Sequence, residues 1–287
     1  MTHGYDGVPQ TKDNPMVASA FFAAMQPKVK TALITGASGG IGFDLARCFA
    51  RDGHALILTA RSKEKLERNA EELKKLGAPF VSVFPLDLAA PGEAKQLFTD
   101  CQRAGLQVDF LVNNAGFGSH GFYPTLNVKD EAEMLQLNIA ALTELTRLFL
   151  APMLARKQGC IMQVASTAAF QPGPYMAVYY ATKAYVLHYS EALAEELRGS
   201  GVTITCLCPG ATKTDFAARA EMADSFLFRH LAGDSASVAE AGYRGMMRGK
   251  IIVVPGLINR LSIFSLRVSP RVLVRKLVAK LQGTRIH

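Results

Sequence analysis

The segment Thr35 to Gly42, TGASGGIG, constrains the fold of this chain more than any other part of its sequence. It follows a short apolar run and precedes a helical pattern. Glycines at 36, 40 and 42 let a strand turn tightly into a helix and let the backbone approach a ligand closely. The N-terminus of the helix presents unpaired N–H groups and a partial positive charge, which suits a phosphate. The segment predicts a phosphate-binding turn; the alternative is a turn without a ligand.

The rest of the chain alternates short, β-branched apolar runs with helical patterns. Runs that are apolar throughout are typical of parallel strands covered by helices on both faces. Strands are predicted at 30–35, 55–59, 80–85, 108–112, 160–165, 202–208 and 250–254, and helices at 41–51, 62–76, 92–104, within 130–156, and at 178–198. This alternation predicts an α/β fold, a Rossmann-type doubly wound parallel sheet in a single domain.

The net charge is concentrated at one end of the chain. Of 32 basic residues, seven lie in 257–287 with no acidic residue, whereas 1–256 carries 25 basic and 24 acidic residues. A formal charge of +8 would suggest that the protein binds nucleic acid or an acidic membrane, but seven of these eight charges lie in the C-terminal segment. We predict a flexible N-terminal arm (1–27), a catalytic domain (28–256) and a basic C-terminal extension (257–287).

The extension is predicted to contain an amphipathic helix between 271 and 281. A helical wheel places apolar residues on one side and basic residues on the other: Leu273, Val274, Leu277, Val278 and Leu281 against Arg275, Lys276 and Lys280. Such a helix can lie in an anionic membrane interface, cover a groove on a neighbouring subunit or close its own substrate pocket. Nucleic acid is not expected, because the charges interleave with Leu and Val instead of aromatic residues.

Cysteine and histidine usage indicates neither disulfides nor metals. The five cysteines form no CxxC pair, and the six histidines show no metal spacing, so we expect no metal site. The apolar segment 16–25 lacks a basic region before it, and no uninterrupted apolar run reaches membrane-spanning length. We expect a cytoplasmic protein, with membrane association through the extension as the open alternative.

Tyr179 and Lys183 are four residues apart on a predicted helix and therefore share one face. A nearby ammonium favours the phenolate and so is expected to lower the pKa of the tyrosine from about 10. Ser166 ends a strand earlier in the chain, where its hydroxyl can bond a substrate oxygen as charge develops there. The three residues predict proton transfer to or from an oxygen.

Arg61 follows the second predicted strand, where a fold that binds NAD usually has an acid for the ribose hydroxyls. This strand ends without an acid, and the guanidinium is available for a 2'-phosphate. The residue pattern therefore favours NADP over NAD. The alternative is that Arg61 is a solvated residue at the start of a charged helix.

The chain resembles the classical short-chain dehydrogenase/reductase family over roughly 30–256. The resemblance lies in a series of motifs that occur in the family's order: TGASGGIG, NNAG (113–116), Asn138, Ser166, YYATK (179–183) and PG (209–210). The resemblance implies that Tyr179 is the acid/base, that Lys183 lowers its pKa and holds the nicotinamide ribose, and that Ser166 positions the substrate oxygen. It implies that Asn138 organises a water-linked proton relay.

The resemblance also implies an NADP(H) site. Asp87 would contact the adenine ring, residues 114–116 would close the cofactor cleft, and Thr212 and Thr214 would meet the nicotinamide amide and the phosphates. The full predicted set is Gly36, Ser38, Gly40, Ile41, Gly42, Arg61, Asp87, Leu88, Asn114, Ala115, Gly116, Tyr179, Lys183, Pro209, Gly210, Thr212 and Thr214. Taken singly, Ser166 could cap a loop, Asn138 could bond a helix backbone and Asp87 could cap a helix.

Apolar segments are expected beside the nicotinamide: Phe117, Phe122, 170–176 and 216–228. They favour a hydrophobic ketone or aldehyde, although these aromatic residues could equally pack a lid. The predicted function is NADPH-dependent, reversible reduction of such a carbonyl; the alternative is a catalytically silent cofactor-binding scaffold or sensor. Because the helices carrying Asn138 and Tyr179 form the usual dimer face in the family, a homodimer or homotetramer is expected.

Overall fold

Seven parallel strands form one sheet in a computed structural model that describes residues 29–214 and 232–283. They are β1 (Thr31–Thr35), β2 (Ala55–Ala60), β3 (Val81–Pro85), β4 (Phe110–Asn113), β5 (Gly159–Val164), β6 (Val202–Leu207) and β7 (Ile252–Val253), in the order β3-β2-β1-β4-β5-β6-β7. The strand order reverses between β1 and β4, so a crevice opens at the carboxyl ends of these two strands. The predicted doubly wound sheet is confirmed.

Helices cover both faces of this sheet. In chain order they are α1 (Gly40–Arg51), α2 (Lys63–Lys75), α3 (Glu93–Arg103), α4 (Val128–Leu135), a π-helical segment (Gln136–Ala141), α5 (Leu142–Ala155), α6 (Ala177–Glu196), α7 (Ser235–Met247), α8 (Leu257–Leu266) and α9 (Arg271–Gln282). Short 3₁₀ turns occur at Tyr123–Thr125 and Thr167–Phe170.

The apolar strands are buried on both faces, as their sequences predict. In β1, Leu33 belongs to a core cluster with α3 and α5, whereas its neighbour Ile34 belongs to the cluster on the other side, with α1 and α7. Successive side chains of a strand point to opposite faces, so a strand between two helical layers needs apolar residues at every position. This double burial holds the carboxyl ends of β1, β4 and β5 in fixed register.

The continuous helical stretch Val128–Ala155 is long and apolar enough to cross a membrane by length and composition. The sequence did not lead us to expect such a helix. Leu145, Phe149 and Met153 on this stretch are buried in the core cluster that covers β4 and β5. Packing against the sheet therefore accounts for part of this apolar composition.

Helix α7 was not predicted, because glycines at 242 and 245 weaken its helical pattern. Those glycines are needed for packing: a Cβ atom at Gly245 would lie 2.3 Å from Cγ2 of Val253. The helix also pairs with α1 through Arg51 and Glu240, at 3.1 Å. Close packing, which a single segment does not reveal, overrides the low helix propensity.

The predicted apolar side of the C-terminal helix is divided in the structure. Val274 and Val278 are buried against the body, but Leu273 and Leu277 are 61% and 59% exposed. On the helical wheel the leucines and the valines occupy adjacent sectors of one apolar arc, and only the valine sector faces the body. The body therefore covers only part of the apolar side of this helix. The predicted N-terminal arm, 1–27, lies outside the described residues.

Candidate active site

The glycine-rich turn connects β1 to α1 at the crevice. Gly36 and Gly40 have φ angles of +67° and +55°, a region that glycine adopts without strain. A Cβ atom at Gly42 would lie 2.5 Å from the carbonyl oxygen of Gly36. No side chain caps the N-terminus of α1, and its first turn carries no acidic residue. The turn therefore leaves helix N–H groups available to an anion, as the sequence predicts.

Two further predicted residues of this turn have different environments. Ser38 is partly exposed in the turn itself, whereas Ile41 packs against the core cluster beneath α1. The side chain of Ser38 is thus accessible to a ligand. Ile41 presents chiefly its backbone N–H, because its side chain contributes to the core.

Arg61 lies beside the glycine-rich turn, at the end of β2. The carbonyl oxygen of Thr59 accepts hydrogen bonds from the backbone N–H groups of Gly36 (2.8 Å) and Ala37 (3.3 Å), which joins the end of β2 to the turn. Arg61 is exposed and forms no ion pair within the described part of the chain. Its guanidinium is therefore available to an anionic group bound at the turn.

Asp87 and Leu88 follow β3 at the same edge of the sheet. The Asp87 side chain is exposed and accepts a hydrogen bond from the backbone N–H of Ala89, at 3.1 Å. It does not cap a helix, because the N-cap of α3 is Gly92. Leu88 is buried among core residues, so its side chain faces away from the crevice.

Asn114 supports the turn from β4. Its side-chain amide donates to the carbonyl oxygen of Thr35 at 2.9 Å, and the Thr35 hydroxyl accepts from the backbone N–H groups of Asn114 (3.0 Å) and Ala115 (2.9 Å). Asn114 thus holds the two strand ends together. A Cβ atom at Gly116 would lie 2.9 Å from Oδ1 of Asn138 and 3.4 Å from Nζ of Lys183. Glycine at 116 lets the chain pass between these two groups.

Asn138 fixes the loop after β4 with its side chain. Its Oδ1 accepts from the backbone N–H of Phe117 at 3.2 Å, while Nδ2 donates to the Phe117 carbonyl (2.9 Å) and to the Thr182 hydroxyl (3.1 Å). The residue lies in the π-helical segment, a kind of distortion that is frequent at functional sites. A water relay at this residue can use the second acceptor site of Oδ1 or the backbone.

Ser166, Tyr179 and Lys183 come together where β5 ends against α6. The side chains of Ser166 and Tyr179 are hydrogen-bonded, and Nζ of Lys183 lies 5.8 Å from the centre of the Tyr179 ring. The Lys183 ammonium donates to the carbonyl oxygen of Val164, at 2.9 Å. The Ser166 hydroxyl also caps the Thr167–Phe170 turn by accepting from the backbone N–H of Ala168 at 3.1 Å. A capping role and a site role are compatible for this serine.

Burial sets the ionisation of the pair. Desolvation raises the pKa of the Tyr179 phenol well above its usual value, and the hydrogen bond from Ser166 opposes that rise only in part. Burial also lowers the pKa of Lys183 to about 8. In the protein chain alone, the desolvation of Tyr179 therefore outweighs the effects that lower its pKa.

The segment after β6 returns across the glycine-rich turn. The Pro209 carbonyl accepts from the Thr167 backbone N–H at 2.8 Å, and the Thr212 hydroxyl donates to the Gly210 carbonyl at 2.9 Å. A Cβ atom at Gly40 would lie 2.8 Å from Cγ2 of Thr214. Thr214 therefore covers the turn where the predicted phosphate site lies.

Apolar side chains adjoin the tyrosine. Phe117, Met134, Met176 and Tyr180 are buried in one cluster with Tyr179. Phe122 does not belong to this cluster and is 55% exposed. The predicted apolar segment 216–228 lies outside the described residues.

Sequence reasoning missed a contact from the C-terminal helix to this cluster. Gln282 Nε2 donates to the hydroxyl of Tyr180, and the Gln282 carbonyl oxygen lies 2.8 Å from Nε2 of His120. The amphipathic pattern of the extension signals that it docks somewhere, but it does not identify these partners. The contact joins α9 to the residue that follows Tyr179.

The described residues contain no group of three or more His, Cys, Asp or Glu side chains that could hold a metal ion. All five cysteines are free, and four of them are buried.

A doubly wound sheet with a glycine-rich turn and a Ser-Tyr-Lys group at the carboxyl ends of its strands defines an α/β dehydrogenase. A family model described as short chain dehydrogenase matches residues 30–224, and the chain belongs to this family of oxidoreductases. The resemblance seen in the sequence is confirmed.

Individual relatives agree with this assignment. An uncharacterized oxidoreductase of Bacillus subtilis is 34% identical over 223 residues, covering 77% of this chain and 80% of the relative. A short-chain dehydrogenase from Sphingobium yanoikuyae, solved with NADPH, is 28% identical with a TM-score of 0.76, covering 90% of this chain and 100% of that one. One from Burkholderia phymatum, solved with NAD, is 25% identical with a TM-score of 0.72, covering 90% and 97%.

Proposed function

We propose that this protein is an NADPH-dependent reductase that reversibly converts a hydrophobic ketone or aldehyde to an alcohol. The observation that carries the proposal is the grouping of Ser166, Tyr179 and Lys183 beside the glycine-rich crevice. Family membership supports redox chemistry in general, whereas the residues of the site supply the particular reaction and coenzyme.

The crevice fits a nicotinamide dinucleotide. The turn at Gly36, Gly40 and Gly42 has no room for side chains at 40 or 42, and the uncapped helix N-terminus behind it can hold a pyrophosphate. Arg61 would pair with the 2'-phosphate of NADPH, and Asp87 would reach the adenine end. Related structures hold NADPH in one case and NAD in another, so the preference for NADPH depends on Arg61. Bound cofactor would supply the hydride.

Tyr179 is the proposed proton donor. Its raised pKa keeps the phenol protonated at neutral pH, which suits donation to a carbonyl oxygen as hydride reaches the carbonyl carbon. Ser166 would hold that oxygen by a hydrogen bond, and Lys183 would place positive charge behind the phenol as the proton leaves. The lysine is fixed in place by its bond to the Val164 carbonyl.

The substrate side favours an apolar molecule. Phe117 and Met176 pack with Tyr179 in an apolar cluster. A charged sugar or amino acid would lose its hydration there without gaining a charged partner from these residues. We therefore propose a hydrophobic carbonyl compound as the substrate class.

The proposal is tested by mixing the protein with NADPH and a panel of hydrophobic ketones and aldehydes while following the absorbance of NADPH. Oxidation of NADPH that depends on a carbonyl compound is expected. Tight NADPH binding without turnover across the panel would favour the alternative, a catalytically silent scaffold or sensor. Absence of NADPH binding would reject both functions.

We also propose a homodimer or homotetramer assembled through the outer faces of α5 and α6. Leu154 on α5 and Tyr185 on α6 are exposed although apolar or aromatic, and the Tyr185 hydroxyl lies 2.9 Å from that of Thr143 on the neighbouring helix. Light scattering after size exclusion should give a mass of two or four chains. A monomeric mass at micromolar concentration would contradict this assembly.

A cytoplasmic location is the proposal that fits the free cysteines, because a reducing compartment keeps thiols unpaired. Fractionation of cells that express the full chain tests it. Recovery outside the cytoplasmic membrane would contradict it, whereas recovery on the inner surface of that membrane agrees with the surface described next.

A further inference from the structure

Helix α8 presents an apolar stripe to solvent. Leu257, Leu261 and Phe264 are spaced i, i+4 and i+7, and all three are more than half exposed. This spacing puts them on one side of the helix. No residue of α8 is fully buried; Ile263 and Leu266 are half-buried, whereas the three residues of the stripe are directed to solvent.

Helix α9, which follows α8 in the chain, repeats this arrangement. Leu273, Leu277 and Leu281 are exposed along its outer side, and the exposed Lys276 and Lys280 flank this row next to Leu273 on the helical wheel. Lysines in such positions can extend their ammonium groups past a buried apolar surface. We call the outward side chains of α8 and α9, from Leu257 to Leu281, the C-terminal face.

The inner side of the same helices is attached to the active site. Val274 and Val278 are buried, and Gln282 bonds Tyr180 and His120. At the start of α8, a Cβ atom at Gly210 would lie 2.7 Å from the Asn259 side chain. The C-terminal face is therefore the outer surface of a wall that adjoins the catalytic loops.

Charge distinguishes the partners that this face could take. Residues 257–283 contain six basic residues and no acidic one, and all six are exposed: Arg260, Arg267, Arg271, Arg275, Lys276 and Lys280. A second copy meeting the same face would bring six positive charges against six, which is repulsive. Nucleic acid would meet aliphatic leucines instead of the aromatic platforms on which bases stack. An anionic lipid surface offers acyl chains to the leucines and negatively charged headgroups to the basic residues.

We propose that the C-terminal face binds an anionic lipid bilayer, with the leucines and Phe264 inserted among acyl chains and the basic residues at the headgroups. Attachment is peripheral, because each helix is too short to span a bilayer. The active-site wall then lies next to the membrane, where hydrophobic carbonyl compounds concentrate. The binding itself does not depend on the proposed catalytic activity.

The experiment is sedimentation of the full-length protein with vesicles of phosphatidylcholine alone or with added phosphatidylglycerol. We expect strong binding only to the anionic vesicles, and weakening by salt as the charges are screened. Exchanging Lys276 and Lys280 for Glu (K276E/K280E) should weaken binding by about 30-fold or more, since each basic residue near such a surface contributes about 1 kcal/mol.

A second variant tests the apolar contribution. L273Q/L277Q changes only exposed side chains and should also abolish binding, whereas V128Q, which removes an exposed apolar side chain from α4, should bind like the wild type. Equal melting temperatures would show that the variants fold. No binding of wild type to anionic vesicles, equal binding to neutral vesicles, or unchanged binding by both double variants would overturn the proposal. The face would instead be a contact between subunits if the wild type is a dimer without lipid, if L273Q/L277Q makes it monomeric, and if the wild type does not bind vesicles.

Discussion

Nζ of Lys183 lies 5.8 Å from the centre of the Tyr179 ring, one helical turn further along α6. Both side chains are buried, and Lys183 is held by the Val164 carbonyl instead of the phenol oxygen. The lysine therefore acts on the tyrosine as a nearby charge. Its effect depends on the fraction of Lys183 that is protonated, and burial lowers the pKa of this residue. The same pKa also affects how the stability of the protein depends on pH.

Removing the Lys183 side chain should change how stability depends on pH. Burial lowers the pKa of Lys183 to about 8 from an ordinary value of 10.5. Between these values the unfolded chain holds a proton that the folded chain has lost, so this residue makes stability rise with pH. The penalty for burying the charge is fully present below pH 8 and diminishes above it.

We therefore compare the free energies of unfolding of wild type and Lys183→Met. The difference, wild type minus variant, should increase by on the order of 2 kcal/mol between about pH 8 and pH 10. Denaturant unfolding at several pH values measures it. Subtracting the variant removes the contributions of cysteines and tyrosines, which are common to both proteins. A difference that stays constant with pH would show that Lys183 is not desolvated.

Arg61→Ala should weaken NADPH binding by about 10- to 100-fold, the cost of losing charge-assisted hydrogen bonds to a phosphate. NADH binding should change little, because NADH lacks the 2'-phosphate. Fluorescence titration with each coenzyme measures both affinities. Arg103→Ala, at another exposed arginine, is the matched control and should leave both affinities unchanged. Equal losses for the two coenzymes at Arg61→Ala would defeat the NADPH assignment.

Gly42→Ala should distort the glycine-rich turn. The added Cβ atom would lie 2.5 Å from the Gly36 carbonyl oxygen, which is backbone and cannot move aside cheaply. We expect a loss of about 1–3 kcal/mol in the free energy of unfolding and weaker NADPH binding. Gly233→Ala is the control, since its Cβ atom would meet nothing closer than 3.9 Å. Wild-type stability and affinity in Gly42→Ala would show that the turn is not closely packed.

Gln282→Ala should loosen α9 without unfolding the body. The substitution removes the donor to the buried Tyr180 hydroxyl, at a cost of about 1 kcal/mol or more. Backbone amides of 271–282 should then exchange with solvent faster, while those of α6 remain protected. Leu281→Ala, at the exposed neighbouring position, should leave exchange nearly unchanged. Unaltered exchange in Gln282→Ala would mean that the valines and the contact of the Gln282 carbonyl with His120 hold the helix.

The sequence was most informative where a motif is local. TGASGGIG specifies its own turn, because its positive φ angles and close approaches require glycine whatever surrounds it. Tyr179 and Lys183 share a face by helical spacing alone. The strands could be predicted because double burial demands apolar residues at every position.

Other features depend on packing between distant segments and could not be predicted. The pKa of Tyr179 rises because α6 buries it, which its sequence neighbours do not reveal. Asn138 looked like a relay residue, yet its amide is bonded to Phe117, which is 21 positions away. The division of α9 into a buried and an exposed side depends on the contact between Gln282 and Tyr180, which lie 102 positions apart in the chain.

The central claim is that Tyr179 transfers the proton in NADPH-dependent reduction of a hydrophobic carbonyl compound. The most direct test compares wild type with Tyr179→Phe, using the best ketone of the panel and saturating NADPH. Tyr123→Phe, at an exposed tyrosine, serves as the control. The account predicts that Tyr179→Phe binds NADPH as wild type does but turns over about 100- to 10,000-fold more slowly, with Tyr123→Phe unchanged. Full turnover in Tyr179→Phe would contradict the account.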